Sequence, residues 1–178
     1  MLKPNQEKYL STIPADKKVV IKPYDPKLRE VADGIIRFVH GIDPDLEVLF
    51  MGAAGLGISG QGDLDLYILC KPSDFGKYLL GLKDVFGEPV KEKDTYVAWE
   101  LVRDDVPVEL YLTDLGNEIY NTSMKEQNDI FNILKTNPDI LKEYEDLKIS
   151  LNGQSFREYQ RQKYKFYNRV LSQESNEK

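Results

Sequence analysis

Asp63 and Asp65 stand two residues apart at the head of an apolar run, Leu64 to Cys70, directly after a glycine-rich stretch. A strand turns successive side chains to opposite faces, so the two aspartates share one face at the strand's entry while Leu64, Leu66 and Ile68 point to the other. Two carboxylates so placed repel each other unless a positive charge lies between them. Their hard oxygens suit a divalent cation such as magnesium.

The stretch leading into them, residues 46 to 70, reads LEVLFMGAAGLGISGQGDLDLYILC. Leu46 to Met51 has the length of a buried strand, as does Leu64 to Cys70, and the glycines between them make the two strands near neighbours. Gly55, Gly57 and Gly60 spell the dinucleotide fingerprint G-x-G-x-x-G, but that motif works only where it opens a helix whose N-terminus receives the pyrophosphate. Only Gln61 and Gly62 separate Gly60 from Asp63, which leaves no room for such a helix. A Walker phosphate loop fails because no Gly-Lys-Ser/Thr follows. Ser59 lacks the second glycine of a nucleophile elbow, and the single histidine, His40, lies upstream, so a serine hydrolase is disfavoured.

The order of strand, Gly-small loop and Asp-apolar-Asp-apolar resembles the nucleotidyltransferase superfamily with the polymerase-beta-like fold. In that pattern a Gly-Ser pair opens the loop, and the paired acids beyond it hold metal and triphosphate. Gly52 and Ala53 stand where the Gly-Ser pair would be, so one hydroxyl contact to phosphate is missing. The resemblance implies that Gly52, Ala53, Gly55, Gly57, Ser59, Gly60 and Gly62 bind the nucleotide. It assigns Asp63 and Asp65 to metal and catalysis, with Mg2+ or Mn2+ as cofactor. A third acid in the superfamily comes from a later strand beside the Asp-x-Asp strand, and Glu109 occupies that position, where aspartate is usual. The other reading of Glu109 is a sheet-surface glutamate in a solvated row.

The elements that would position these residues follow from periodicity. Residues 1 to 18 read as a loosely docked arm, and Val19 to Ile21 as a short strand. Asp25-Pro26 opens a helix with Leu28, Val31, Ala32, Ile35 and Val39 on one face. Lys71-Pro72 opens a second, with Phe75, Tyr78, Leu79, Leu82 and Phe86 inward and Gly87 as its stop. Thr95 to Val102 and Val106 to Leu112 form a hairpin about Arg103-Asp104-Asp105, with Trp99 in the core. In its second strand Val108, Leu110 and Leu112 share one face and Glu109 and Tyr111 the other.

From Gly116 the sequence reads as helical. One helix runs from Asn121 to Leu134, Asn137-Pro138 caps the next, and the capping box Ser155-Phe156-Arg157-Glu158 opens a last helix to about Leu171. That helix carries Arg157, Arg161, Lys163, Lys165 and Arg169, read first as a solvated face and second as a grip on a triphosphate or an acidic partner.

VVIKPYDP at 19 to 26, NPDILKEYEDLK at 137 to 148 and SFREYQRQKYKFYNRVL at 155 to 171 together resemble one branch of the superfamily, the GrpB family. Glu109-Leu110-Tyr111 departs from it, standing where that family tends to carry histidines. The resemblance implies an α+β fold, a nucleotidyltransferase-like mixed β-sheet flanked by helices, with C-terminal helices. Its expected limits are an arm at 1–18, one domain at 19–171 (core 19–115, helices 116–171) and a tail at 172–178. The implied reaction transfers a nucleotidyl group from a nucleoside triphosphate to an acceptor that the family does not settle. The rival reading keeps the fold as a binding module for a nucleotide or protein, without turnover.

The length, 178 residues, suits one compact domain, and 41% hydrophobic with 30% charged residues is the balance of a soluble globular chain. A net charge of −6 disfavours a broad electrostatic grip on extended nucleic acid. Cys70 alone makes no internal disulfide and reads as buried filler. No apolar h-region and no membrane-spanning run is present, so no membrane partner is expected and the default residence is cytoplasmic.

Overall fold

The computed structural model describes residues 1–176. The fold is α+β. In chain order the elements are α1 (Pro4–Thr12), α2 (Lys27–Ile42), β1 (Val48–Met51), α3 (Gly52–Leu56) and β2 (Leu64–Leu69). A 3-10 turn at Pro72–Asp74 leads into α4 (Phe75–Phe86), β3 (Lys91–Glu92), β4 (Val97–Arg103) and β5 (Val106–Thr113). Then come β6 (Glu118–Ile119), β7 (Thr122–Ser123), α5 (Met124–Thr136), α6 (Pro138–Ser150) and α7 (Phe156–Asn176). Contacts group the chain into two compact units, and these do not follow the limits expected from the sequence. One is Met1–Pro23 with Ser59–Gln61 and Glu118–Lys178, the other Tyr24–Ile58 with Gly62–Asn117.

The second of these units is a five-stranded sheet in the order β1-β2-β5-β4-β3. β2 and β5 run parallel and the other neighbours antiparallel, so the sheet is mixed. The two periodicities meet on one face. Leu28, Val31, Ala32, Ile35 and Val39 form the buried stripe of α2, as their spacing predicts, and α4 adds Phe75 and Leu82. These pack in one cluster with Leu64, Leu66 and Ile68 of β2, Val108, Leu110 and Leu112 of β5 and Trp99 of β4. α4 stops at Gly87, whose φ of 82° is strained for any side chain, and the Gly87 carbonyl accepts the Trp99 indole N–H at 2.8 Å.

The β4–β5 hairpin closes through Asp104 and Asp105, with φ of 51° and 67° between the paired Arg103 and Val106. Positive φ at both central residues is the type I′ geometry, which aspartate tolerates better than most residues. At the sheet's edge β3 is only two residues long, and both Lys91 and Glu92 are exposed. Cys70, half-buried after β2, has its thiol pushed up by burial, consistent with a packing role.

The other unit is mostly helical. Residues 1 to 18 are not a loose arm: α1 buries Gln6 and Leu10, and Leu10, Ile13 and Val19 share a core with Phe156, Tyr159 and Tyr164. The arm's few apolar residues understated this, because two of them, Leu10 and Ile13, are both buried in that core. Val19 to Ile21 forms isolated pairings rather than a strand, with the Val19 N–H donating to Gln154 O and the Gly153 N–H to Val19 O. Before α5, where helix was expected, a short β6–β7 hairpin turns through Tyr120 and Asn121, both at positive φ.

Ser123 caps α5 by accepting the Glu126 N–H at 3.1 Å, and Ser155 caps α7 by accepting the Glu158 N–H at 3.1 Å. Asn137 differs from its expected role. Its side chain donates back to Ile133 O at 2.8 Å, closing α5 rather than capping α6, which starts on Pro138. α7 continues to Asn176, past the expected end at Leu171. Among the described residues, no helix is long and apolar enough to cross a membrane.

The central strand β5 predicts the most sensitive position. Leu110 is fully buried between β2 and β4, so Leu110→Ala should cost about 2–5 kcal/mol of stability. Val102→Ala, on the exposed side of β4, should stay within about 0.5 kcal/mol of wild type. Urea midpoints at unchanged m-value would measure both.

Candidate functional site

β1 and β2 pair antiparallel, and the turn between them brings Met51 opposite Asp65. On its other side β2 pairs with β5, and this parallel register sets Asp65 opposite Glu109. The apolar side chains of both strands fill the helix-covered cluster, so period 2 sends Asp65 and Glu109 together to the opposite face. Asp63 lies one residue before β2 and is half-buried. Asp65 and Glu109 thus stand level near the start of the β2–β5 ladder, with Asp63 just before it.

The hairpin adds a residue that the sequence reading missed. Glu100 of β4 is the register partner of Glu109, so a third carboxylate continues the row across the sheet. The loop reads in the sequence as Arg103-Asp104-Asp105, but the ladder closes one residue tighter, pairing Arg103 with Val106, and three pairs further back Glu100 stands opposite Glu109. The row is nevertheless no closed cage. Neighbouring strands lie about 4.8 Å apart, so Asp65 and Glu100 are separated by two strand spacings, roughly 10 Å, at the backbone. Among the described residues, no three histidine, cysteine or carboxylate side chains come close enough to hold an ion together.

One step further along the strands the face becomes aromatic. Tyr67 and Tyr111 stack with centroids 5.0 Å apart, and the Tyr111 hydroxyl donates to Glu109 Oε2 at 2.9 Å. Both rings are buried. The hydroxyl therefore fixes one oxygen of Glu109 and orients its carboxylate.

The glycine-rich segment divides. Gly52 has φ of 67° and opens α3, and a Cβ built on it would lie 2.0 Å from Asp65 Oδ2. Only glycine allows this close approach of backbone to the carboxylate. Ala53 and Gly55 lie within α3, Gly57 ends it at φ of 70°, and Gly62 turns the chain into Asp63 at φ of 80°. Gly55 and Gly60 are not at positive φ.

The backbone donors between Gly57 and Gly60 already have partners. The Gly57 and Ile58 N–H groups donate to Ala54 O and Ala53 O, both at 3.1 Å. The Ser59 N–H donates to Glu145 Oε1 at 2.8 Å, and Gly60 exchanges both backbone bonds with Lys22. Ser59 and Gly60 thus belong to the helical unit's own packing.

Gly52→Ala should be the most damaging single-methyl change in this region. A left-handed backbone costs a residue with Cβ about 1–2 kcal/mol, and the overlap with Asp65 adds about 1–3 kcal/mol. The double variant Gly52→Ala, Asp65→Ala should recover the second part but not the first, measured as a double-mutant cycle by urea denaturation. No model of a known protein family matches the chain, and a comparison with curated proteins found no match either.

Proposed function

We propose that the protein binds a nucleoside triphosphate with a divalent ion at the carboxylate row of Asp63, Asp65 and Glu109, one or two of which would reach the ion directly, and transfers its nucleotidyl group to an acceptor hydroxyl. The hydroxyl oxygen bonds to the α-phosphorus as pyrophosphate leaves, and its proton passes to solvent. The observation that carries this reading is the pairing of Asp65 with Glu109 across parallel strands while Gly52 presses its backbone against the Asp65 carboxylate. The donor set is chemically apt for magnesium or manganese, which are held by one or two carboxylates and complete their shell with substrate phosphates and water. It is unsuited to an ion held by protein alone, since the row extends along the sheet rather than closing. When bound, such an ion supplies positive charge that offsets what builds up on the phosphate during in-line attack.

The chain's own residues supply position. Asp65 and Glu109 hold their oxygens level on a rigid sheet, and Tyr111 orients Glu109 through its hydroxyl. Gly52 lets the loop approach without a side chain between backbone and carboxylate. Localisation in the cytoplasm and a small-molecule rather than extended nucleic-acid substrate belong to the same proposal, the latter supported by the net charge of −6.

A second reading, a nucleotide- or protein-binding module without turnover, is favoured by two observations. Ala53 offers no hydroxyl, and the Gly57–Gly60 donors are already engaged. Thermal melting separates the outcomes. Magnesium or manganese with a nucleoside triphosphate should stabilise the wild type by about 2.7 kcal/mol at a hundredfold excess over Kd. Asp63→Asn, Asp65→Asn should abolish that response while staying folded, and Glu109→Gln should reduce it in part. Stabilisation with no labelled product on a panel of hydroxyl acceptors would select the binding module. A wild-type melting curve unmoved by millimolar metal with any of the common triphosphates would sink the nucleotide reading.

A further inference from the structure

We infer that Asn152 is a modification site: when residues 17–22 lift from the α6–α7 turn, its side-chain amide converts spontaneously to aspartate and isoaspartate, and the isoaspartyl chain no longer re-forms that contact. This goes beyond the nucleotidyl-transfer reading and does not rest on it. Asn152-Gly153 is the one Asn-Gly pair in the sequence, and both residues are exposed in the turn between α6 and α7. A glycine after asparagine puts no side chain in the way of its own backbone nitrogen, and that is where the nitrogen reaches the asparagine carboxamide most readily.

The N-terminal segment holds both of the groups that must react. Asn152 Oδ1 accepts the Ile21 N–H at 2.8 Å, which fixes the carboxamide. The Gly153 N–H donates to Val19 O at 2.9 Å, which engages the attacking nitrogen. Around them the Val19 N–H donates to Gln154 O at 3.0 Å and the Phe156 N–H to Lys17 O at 2.7 Å, while Lys17 Nζ lies 4.1 Å from the Phe156 ring centre. Val19 anchors this seam, fully buried in the core it shares with Phe156, Tyr159 and Tyr164. Its neighbours Lys17, Lys18, Val20 and Lys22 are exposed. A short stretch fastened by one deeply buried side chain opens far more often than the whole fold does.

Once the seam is open, the Gly153 nitrogen bonds to Cγ of Asn152 and the Cγ–Nδ2 bond breaks. The Gly153 amide proton passes to solvent, and the side-chain nitrogen takes up a proton and leaves as ammonia, giving a cyclic imide. Water then opens the ring. Addition at Cγ yields aspartate on an unchanged main chain, which keeps an acceptor for the Ile21 N–H. Addition at the main-chain carbonyl yields isoaspartate, in which the chain runs through Cβ and Cγ. The backbone is then longer by a methylene group directly before Gly153, so Gly153 and Gln154 no longer meet Val19 in register. The turn thereby records each lasting opening of the N-terminal segment as a covalent change.

The test follows the mass gain of amide-to-acid conversion, and isoaspartate formation, at Asn152 by peptide mass spectrometry of the full chain at neutral pH. A free peptide spanning 146–158 is the reference. Folded wild type should react about tenfold or more slowly than the peptide. Ile21→Pro removes the N–H that holds the carboxamide and Val19→Ala loosens the buried anchor, so each should raise the rate toward that of the peptide. Asn152→Gln, whose longer side chain closes such a ring far more slowly, should stay unmodified. Wild type enriched in isoaspartate by long incubation should be cut by trypsin after Lys17, Lys18 and Lys22 faster than fresh protein, because cleavage tracks the open population. Asn152→Asp should be cut as fresh protein is. Wild type reacting as fast as the peptide, folded variants reacting no faster than wild type, or isoaspartyl protein cut no faster than fresh protein overturns the inference. Should Val19→Ala fail to fold, Ile21→Pro decides the rate, and incubated against fresh wild type decides the consequence.

Discussion

The parallel pairing of β2 with β5 is the constraint on which the site depends. It brings Asp65 level with Glu109, and the antiparallel hairpin extends the row to Glu100. Like charges directly opposite on neighbouring strands destabilise a sheet, so the acid row would slide apart if the register were free. It is not free. A shift by one residue would turn Leu64, Leu66, Ile68, Leu110 and Leu112 out of the helix-covered core and send the charges into it. Burial of the apolar face, at about 25 cal/mol per Å² of surface removed from water, outweighs repulsion on the other face by a wide margin. The acids are therefore held together by residues that never touch them.

Gly52 carries the same logic into the backbone. The chain must leave β1, turn through a left-handed residue and enter α3 within contact of Asp65. The loop is thus shaped against the carboxylate itself rather than around an empty space. Tyr111 completes the arrangement from below by tying down one oxygen of Glu109.

Much of this was legible in the sequence, because the signals were local. The stripe of α2, the Asp104–Asp105 turn, the Ser155 cap and the pairing of the two strands about the glycines all follow from periodicity and turn chemistry. What escaped required partners distant in sequence. Residues 1 to 18 carry few apolar side chains, and nothing in them announces that Leu10 and Ile13 meet Phe156. The glycine segment reads as one loop, yet Ser59 and Gly60 are claimed by Glu145 and Lys22. Glu100 escaped because the loop reads as three residues, whereas Arg103 is still paired with Val106 and so sets Glu100 opposite Glu109.

The brevity of β3 has a consequence for how the molecule behaves among copies of itself. A sheet's last strand offers unpaired N–H and C=O groups to any extended segment that comes alongside, and long flat edges invite such templated growth. Here that edge is two residues long and presents the exposed side chains of a lysine and a glutamate. Two alternating charges over so short a span give an incoming strand little to pair with. The sheet thus ends in a gatekeeper against fibril-like self-assembly on that side, a protection that costs the fold only one short ladder.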